Sequence, residues 1–425
     1  MINILIVTYF LLFLFLAWNN FRLAVVLFII FLPTYLIRFQ IGPLPSTVLE
    51  LTFGALSLAW LLKYGRYDCR KILLAMQKHK VLFIAFGLFF LSSIVSVLIS
   101  DLFILSLGVW RAYFLEPMIL FLILIGRKDS VKTIDLIWGL ALSTVSISIY
   151  SILQKFTGWG VATPEWAIES TRRVTAFFSS PNAVGLYLAP VLMLMIFVVI
   201  KKSKQQSRDI KFWVLVVVAV LSLLAIIFTK SQGTWIGLGA GLLVFVFFLN
   251  YKKTVLAVAV MGIIFSLFIP SMRQAILFKD QAGQNRLRLL GYTEIFLSKT
   301  PANFILGTGL GEFFRKVQKP YYNDKIMERL IFPHNIFLNF WTETGLAGML
   351  AMITMLGYVF YLANKIRKSS VLVGAGLMGV LTVLMVHGLV DVPYFKNDLS
   401  FLFWIIMAIP FFYYENIYQS QANVI

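Results

Sequence analysis

The chain has 425 residues, 60% hydrophobic and 13% charged, with a formal net charge of +19 and a mean hydropathy of +0.88. Repeated apolar runs long enough to cross ~30 Å of hydrocarbon exclude a soluble globular protein and require a multi-span membrane protein. A basic excess of this size would suggest nucleic acid in a soluble chain. Here it lies mostly in short loops between apolar runs, where Lys and Arg set topology, so the membrane and not nucleic acid is the expected partner.

In chain order the apolar runs cover 2–18, 21–37, 46–62, 81–99, 102–125, 133–153, 182–200, 212–229, 232–249, 254–270, 335–362, 371–390 and 399–414. They predict an all-α, polytopic membrane helix bundle of 12–13 spans, built as one integral domain over 1–425. Twelve is the count if 1–37 folds as a hairpin or if Glu50 keeps 46–62 from spanning. The first run has neither a basic start nor a small-residue cleavage site, and it reads as a retained span. Cys69 is the single cysteine, which excludes an internal disulfide.

Loop charge predicts the orientation. One set of loops, among them 63–80 and 201–211, carries twenty Lys/Arg; the alternate short loops carry six, namely Arg38, Lys155, Arg172, Arg173, Lys230 and Lys396. The first set is expected in the cytoplasm. Two longer stretches, 154–181 and 271–333, then face outward, and the ten Lys/Arg of the second need a reason other than insertion. The chain has no internal repeat and no matched pair of Gly/Pro-broken helices, which weighs against the commonest transporter architectures.

Only three histidines occur, and His334 sits where the long loop re-enters an apolar run, in Phe332-Pro333-His334-Asn335. Histidine is the side chain that ordinarily titrates nearest neutrality, so one at a membrane surface is a candidate for proton chemistry. The plainer reading is a helix cap, because Asn335 is a good N-cap and Pro333 stops the loop. Several polar residues fall on the same outward surface: Arg172, Arg173, Asn182, Lys230, Gln232, Arg286 and Arg288. The last two lie in a segment that reads as a short amphipathic helix. Arginine suits phosphate because its planar fork makes two parallel charge-assisted hydrogen bonds; the plainer role is contact with anionic head groups. The glycine-rich stretch 306–311 lacks the strand and the Lys-Ser/Thr of a nucleotide loop and reads as a bend. Within the membrane, Arg111 and Glu116 are five apart and should not share a helix face, whereas His387 and Asp391, four apart, should. Glu343 and Asp391 read as partners of the site.

Four motifs in order resemble the O-antigen ligase / Wzy polymerase family of bacterial envelope glycosyltransferases. They are Arg173-Val-Thr-Ala-Phe-Phe-Ser-Ser-Pro-Asn182, Thr229-Lys-Ser-Gln-Gly-Thr-Trp-Ile-Gly237, Asn285-Arg286 ahead of Ile305-Leu-Gly-Thr-Gly-Leu-Gly311, and His334-Asn335 followed by Glu343-Thr-Gly345. The strongest part covers 213–357. The resemblance implies a GT-C-like membrane enzyme of the bacterial inner membrane. Such an enzyme moves a glycan from an undecaprenyl-pyrophosphate carrier to a glycan or lipid acceptor at the outer face, as polymerase or as ligase. It also implies Arg173 and Arg286 near the pyrophosphate and His334 activating the acceptor hydroxyl. Arg172, Arg288, Asn182, Lys230, Gln232, Asn335 and Glu343 are then expected to bind substrate. The chain departs from the family pattern at Gln232, where an arginine is usual, and at Ser180, where an asparagine is usual.

No metal or other cofactor is expected. The outward acids form no Asp-x-Asp pair, and the arginines occupy the place where a cation would sit. Two rival readings from other classes are a secondary transporter of a small anion, gathered by the basic vestibule, and a non-catalytic envelope-assembly scaffold.

Overall fold

Each of the apolar runs forms a helix in a computed structural model that describes residues 2–41, 44–268, 273–274, 277–323 and 328–422. Parts of the long loop, Asp324 included, lie outside the described residues. The helices are α1 (Ile2–Asn19), α2 (Phe21–Ile30), α3 (Val48–Lys63), α4 (Gly65–Lys78), α5 (Lys80–Leu98), α6 (Phe103–Gly126), α7 (Thr133–Thr157), α8 (Pro181–Lys204), α9 (Ile210–Thr229), α10 (Gln232–Phe248), α11 (Lys252–Phe268), α12 (Gln281–Ser298), α13 (Pro301–Leu306), α14 (Ile336–Ser369), α15 (Val371–Gly388) and α16 (Asn397–Ala422). Eight of them, α5 to α9 and α14 to α16, are long and apolar enough to cross a membrane; α1, α2 and α10 are apolar but shorter. The protein is a polytopic, multi-pass α-helical membrane protein. Its only described sheet is a hairpin in which Arg38–Ile41 pairs antiparallel with Leu44–Thr47.

The bundle is centred on α8, α15 and α16, the most buried spans, while α5 and α9 lie at its edge. Two packing devices bring the polar motifs together. The first is a glycine stripe on α10. A methyl group at Gly241 would come within 2.7 Å of Gly379 O, one at Gly237 within 3.0 Å of His387 Cβ, and one at Gly233 within 2.8 Å of Val390 Cγ2. Small residues four apart let two membrane helices approach backbone to backbone, and here they draw the start of α10 onto the end of α15. The second is aromatic. Phe340, Tyr394 and Phe395 pack with ring centroids 5.0–5.2 Å apart, and Tyr394 donates to Tyr113 O at 2.8 Å while accepting from Trp404 at 3.1 Å. Offset and edge-on ring pairs of this kind fix the 391–396 turn beneath the start of α14.

Two sequence expectations need correction. Arg111 and Glu116 do pair, at 3.4 Å, because residues 111–115 form a π-helical turn that brings side chains five apart into line. α14 is also broken: Gly345 is non-helical at φ 75°, and the glycine-rich bend 306–311 docks into the gap. Thr308 N–H donates to Thr342 O at 2.7 Å and Gly311 N–H to Glu343 Oε2 at 2.6 Å.

Candidate functional site

The motifs of the sequence meet at the end of the bundle that carries 154–181 and 271–333. Starting from the first motif, Arg173 gives its Nε–H to Thr229 O at 3.0 Å and lies over the Trp166 ring. Burial lowers its guanidinium from the ordinary value. Asn182, at the start of α8, accepts a hydrogen bond of 2.9 Å from Ser231 Oγ. Ser231 is therefore turned away from its own helix, and α10 begins with no side-chain cap, leaving the first N–H groups of Gln232, Gly233 and Thr234 uncapped. An uncapped helix start is a ready anion site, with N–H groups and the positive end of the helix dipole aimed outward. Lys230 and Gln232 flank it and are exposed.

The glycine stripe brings this helix start against residues 387–391, and the second half of the site is built on that segment. Arg286 of α12 donates to Val390 O at 3.1 Å. Asn335 donates to Leu389 O at 3.3 Å while its own Oδ1 accepts from Phe337 N and Leu338 N, both at 3.1 Å. Asn335 thus serves as the N-cap of α14. His334 does something else. Its backbone is left-handed at φ 52°, and its Nδ1 stands 3.5 Å from Asp391 Oδ1, an ion-pair contact longer than a formed hydrogen bond. Burial alone would raise the Asp391 carboxyl, but the His334 imidazole, His387 and the Val392 N–H together hold it well below the usual carboxylate range. With Nδ1 facing a carboxylate, the Nε2 side of the ring is the one placed to exchange a proton. Asp391 can stabilise the imidazolium that forms.

His387 and Asp391, expected on one helix face, make no side-chain hydrogen bond to each other. α15 ends at Gly388, so Asp391 is off the helix, and both ring nitrogens of His387 lack a protein hydrogen-bond partner among the described residues. The other named residues divide. Arg172 gives its N–H groups to Ala167 O and Lys155 O, and so staples the 154–181 loop to itself. Glu343 is buried and anchors the glycine bend through Gly311. Arg288 lies two residues beyond Arg286 on α12 and reaches Asn285 at 3.5 Å. Three motif turns also share a feature no residue pattern announced: Ala176, Lys230 and His334 all adopt positive φ without being glycine. Such residues cluster where the surrounding structure over-determines the backbone, often at functional sites.

A groove opens beside this constellation. Its volume is about 1260 Å³, and it is lined by Tyr113, Tyr150, Phe177, Phe332 and Phe395, with Arg38 and Lys396 among its few charged residues. Phe332, two residues before His334, and Phe395, four after Asp391, both line the groove, with ring centroids 5.7 Å apart.

Residues 217–353 match the O-antigen ligase family. The resemblance read from the motifs is thereby borne out, and the family implies glycan transfer in envelope polysaccharide assembly by a membrane glycosyltransferase-like enzyme. The O-antigen ligase segment runs from α9 into α14 and contains Lys230, Gln232, Arg286, His334 and Glu343. Arg173, Asn182 and Asp391 come to the site from outside it. No curated protein matches the chain.

Proposed function

We propose that the protein transfers a glycan from an undecaprenyl-pyrophosphate carrier to a hydroxyl of a glycan or lipid acceptor at the outer face of a bacterial inner membrane, without a metal ion. The observation that carries this reading is the junction at 387–391. There the uncapped start of α10, Arg286 and the His334–Asp391 pair come together, with Arg173 one motif away. The pyrophosphate rests on Arg173, Arg286 and the N–H groups of α10, which stabilise the charge that grows on the leaving oxygen. His334 takes the acceptor proton at Nε2. The acceptor oxygen bonds to the anomeric carbon as the bond to the pyrophosphate breaks, and the lipid pyrophosphate departs with inversion at that carbon. The apolar groove suits the polyprenyl chain, with Arg38 and Lys396 near its charged end.

The test is reconstitution of the purified protein in vesicles with a synthetic lipid-pyrophosphate glycan and a panel of glycan and lipid acceptors. Elongated glycan identifies a polymerase and a glycosylated lipid acceptor a ligase. Accumulation of a small anion inside the vesicles with no transfer product would instead establish a transporter.

A further inference from the structure

A second groove lies at the opposite, lysine-rich end of the bundle, and the glycan-transfer site makes no use of it. Its volume is about 810 Å³, and it runs from Phe10 of α1 past Gly54 and Leu58 of α3 to Cys69 and Leu73 of α4. α4 roofs it. That helix buries Asp68, Ile72 and Ala75 and is tied down by the Trp60 indole, which donates to Asp68 at 2.9 Å. It also keeps Tyr67, Leu73 and Leu74 exposed. A helix with basic residues beside exposed apolar ones lies in the plane of a membrane surface.

The basic residues around α4 are not equivalent. Lys63 donates to Trp18 O at 2.6 Å, Lys71 pairs with Asp129 at 2.6 Å and Lys78 with Glu415 at 2.7 Å. Arg66 and Arg70 are exposed and enter no ion pair among the described residues. They are one turn apart, and helical spacing sets Arg66, Cys69, Arg70 and Leu73 on one face. Two arginines outside any described ion pair thus share the helix face whose Cys69 and Leu73 line an apolar groove. We propose that this is a binding site for an anionic phospholipid, with one acyl chain in the groove and the phosphate held by Arg66 and Arg70. A zwitterionic lipid would fill the channel equally well. Only a net negative head group answers the two arginines, and the combination of an apolar chain with basic contacts is what makes lipid attachment selective.

The full-length protein in detergent, titrated with phosphatidylglycerol or phosphatidylethanolamine of matched chains, reports retained lipid by native mass spectrometry. The expected result is retention of phosphatidylglycerol at least about tenfold tighter, since each interfacial basic residue contributes roughly a factor of five. Arg66→Gln/Arg70→Gln should abolish that preference, and both side chains are exposed, so folding is not at stake. Ser57→Trp, which fills the groove, should weaken both lipids together. Equal retention of the two lipids by the natural chain, a preference that survives the double substitution, or a groove filled without effect would each overturn the proposal. A photo-crosslinker on Cys69 gives an independent readout: a phospholipid adduct supports the site, and a cross-linked protein seated in the groove overturns it.

Discussion

His79 and His334 stand at opposite ends of the bundle, and their surroundings differ in kind. His79 is buried with both ring nitrogens engaged, one 2.8 Å from the Tyr358 hydroxyl and the other 3.0 Å from Glu415. Glu415 also gathers Lys78 at 2.7 Å and Lys128 at 2.9 Å. Nearby, Arg22 grips Asp135 through two contacts of 2.7 Å, and Arg127 stacks 3.8 Å from the Tyr64 ring centre. At the site end, His334 has one carboxylate at 3.5 Å. Arg173 and Arg286 each give an N–H to a backbone carbonyl, and no acid pairs with them among the described residues. Charges that complete one another hold helices together. A cationic set with one acid for several bases is arranged for a ligand that brings its own negative charge.

Removing each histidine in turn tests this contrast most severely. His334→Ala should lower turnover by roughly a hundredfold or more, the usual share of a general base, with the protein still inserted. His79→Ala should leave turnover of the folded fraction near its natural level and lower thermal stability in detergent. If the two variants exchange these phenotypes, the assignment of ends is reversed.

Next in size is the arginine fork. Arg286→Lys keeps the charge but loses the planar donor pair, so turnover should fall by tens-fold at saturating acceptor, with membrane level unchanged. A fully active lysine variant would mean that Arg286 supplies only diffuse potential.

At the other end the expected cost is in stability. Glu415→Gln leaves Lys78, Lys128 and His79 without their shared anion and should destabilise the fold by about 3 kcal/mol, the scale for breaking a buried pair. Denaturant titration in detergent reads the change, and unaltered stability would show the cluster to be incidental.

Asp391→Asn should act more gently, reducing turnover about tenfold. The Asp391 carboxyl is held below the usual range, so it is ionised at every working pH and contributes no inflection of its own near neutrality. The same shift has a stability sign. A depressed carboxyl contributes stability that is complete above its unfolded value of about 4 and is lost as the pH falls through the folded value. Asp391→Asn should flatten that acid loss, and a stability curve indistinguishable from the natural chain's would show that the pair contributes nothing to folding.

The smallest expected effect is none. EDTA should leave turnover unchanged and Mg²⁺ or Mn²⁺ should not raise it if, as proposed, the arginines supply the positive charge over the pyrophosphate. Loss on chelation, restored by one of those ions, would move the site to the acids.

The membrane class, the helical runs and the four motifs were legible in the sequence, because run length, loop charge and short residue patterns are local properties that need no partner. His334 could be named because a histidine where a polar loop re-enters an apolar run stands out, and Arg173 and Arg286 because they fall in the motifs that carry the family resemblance. The partner of His334 could not. Local spacing pointed Asp391 to His387, yet α15 stops at Gly388, and the aromatic packing of Tyr394 and Phe395 swings Asp391 toward a residue far upstream. Arg111 with Glu116, the break at Gly345 and the left-handed turns at Ala176, Lys230 and His334 were hidden in the same way. The left-handed residues cost of order 1–3 kcal/mol each, and, like the π-turn and the break, only the surrounding packing selects them.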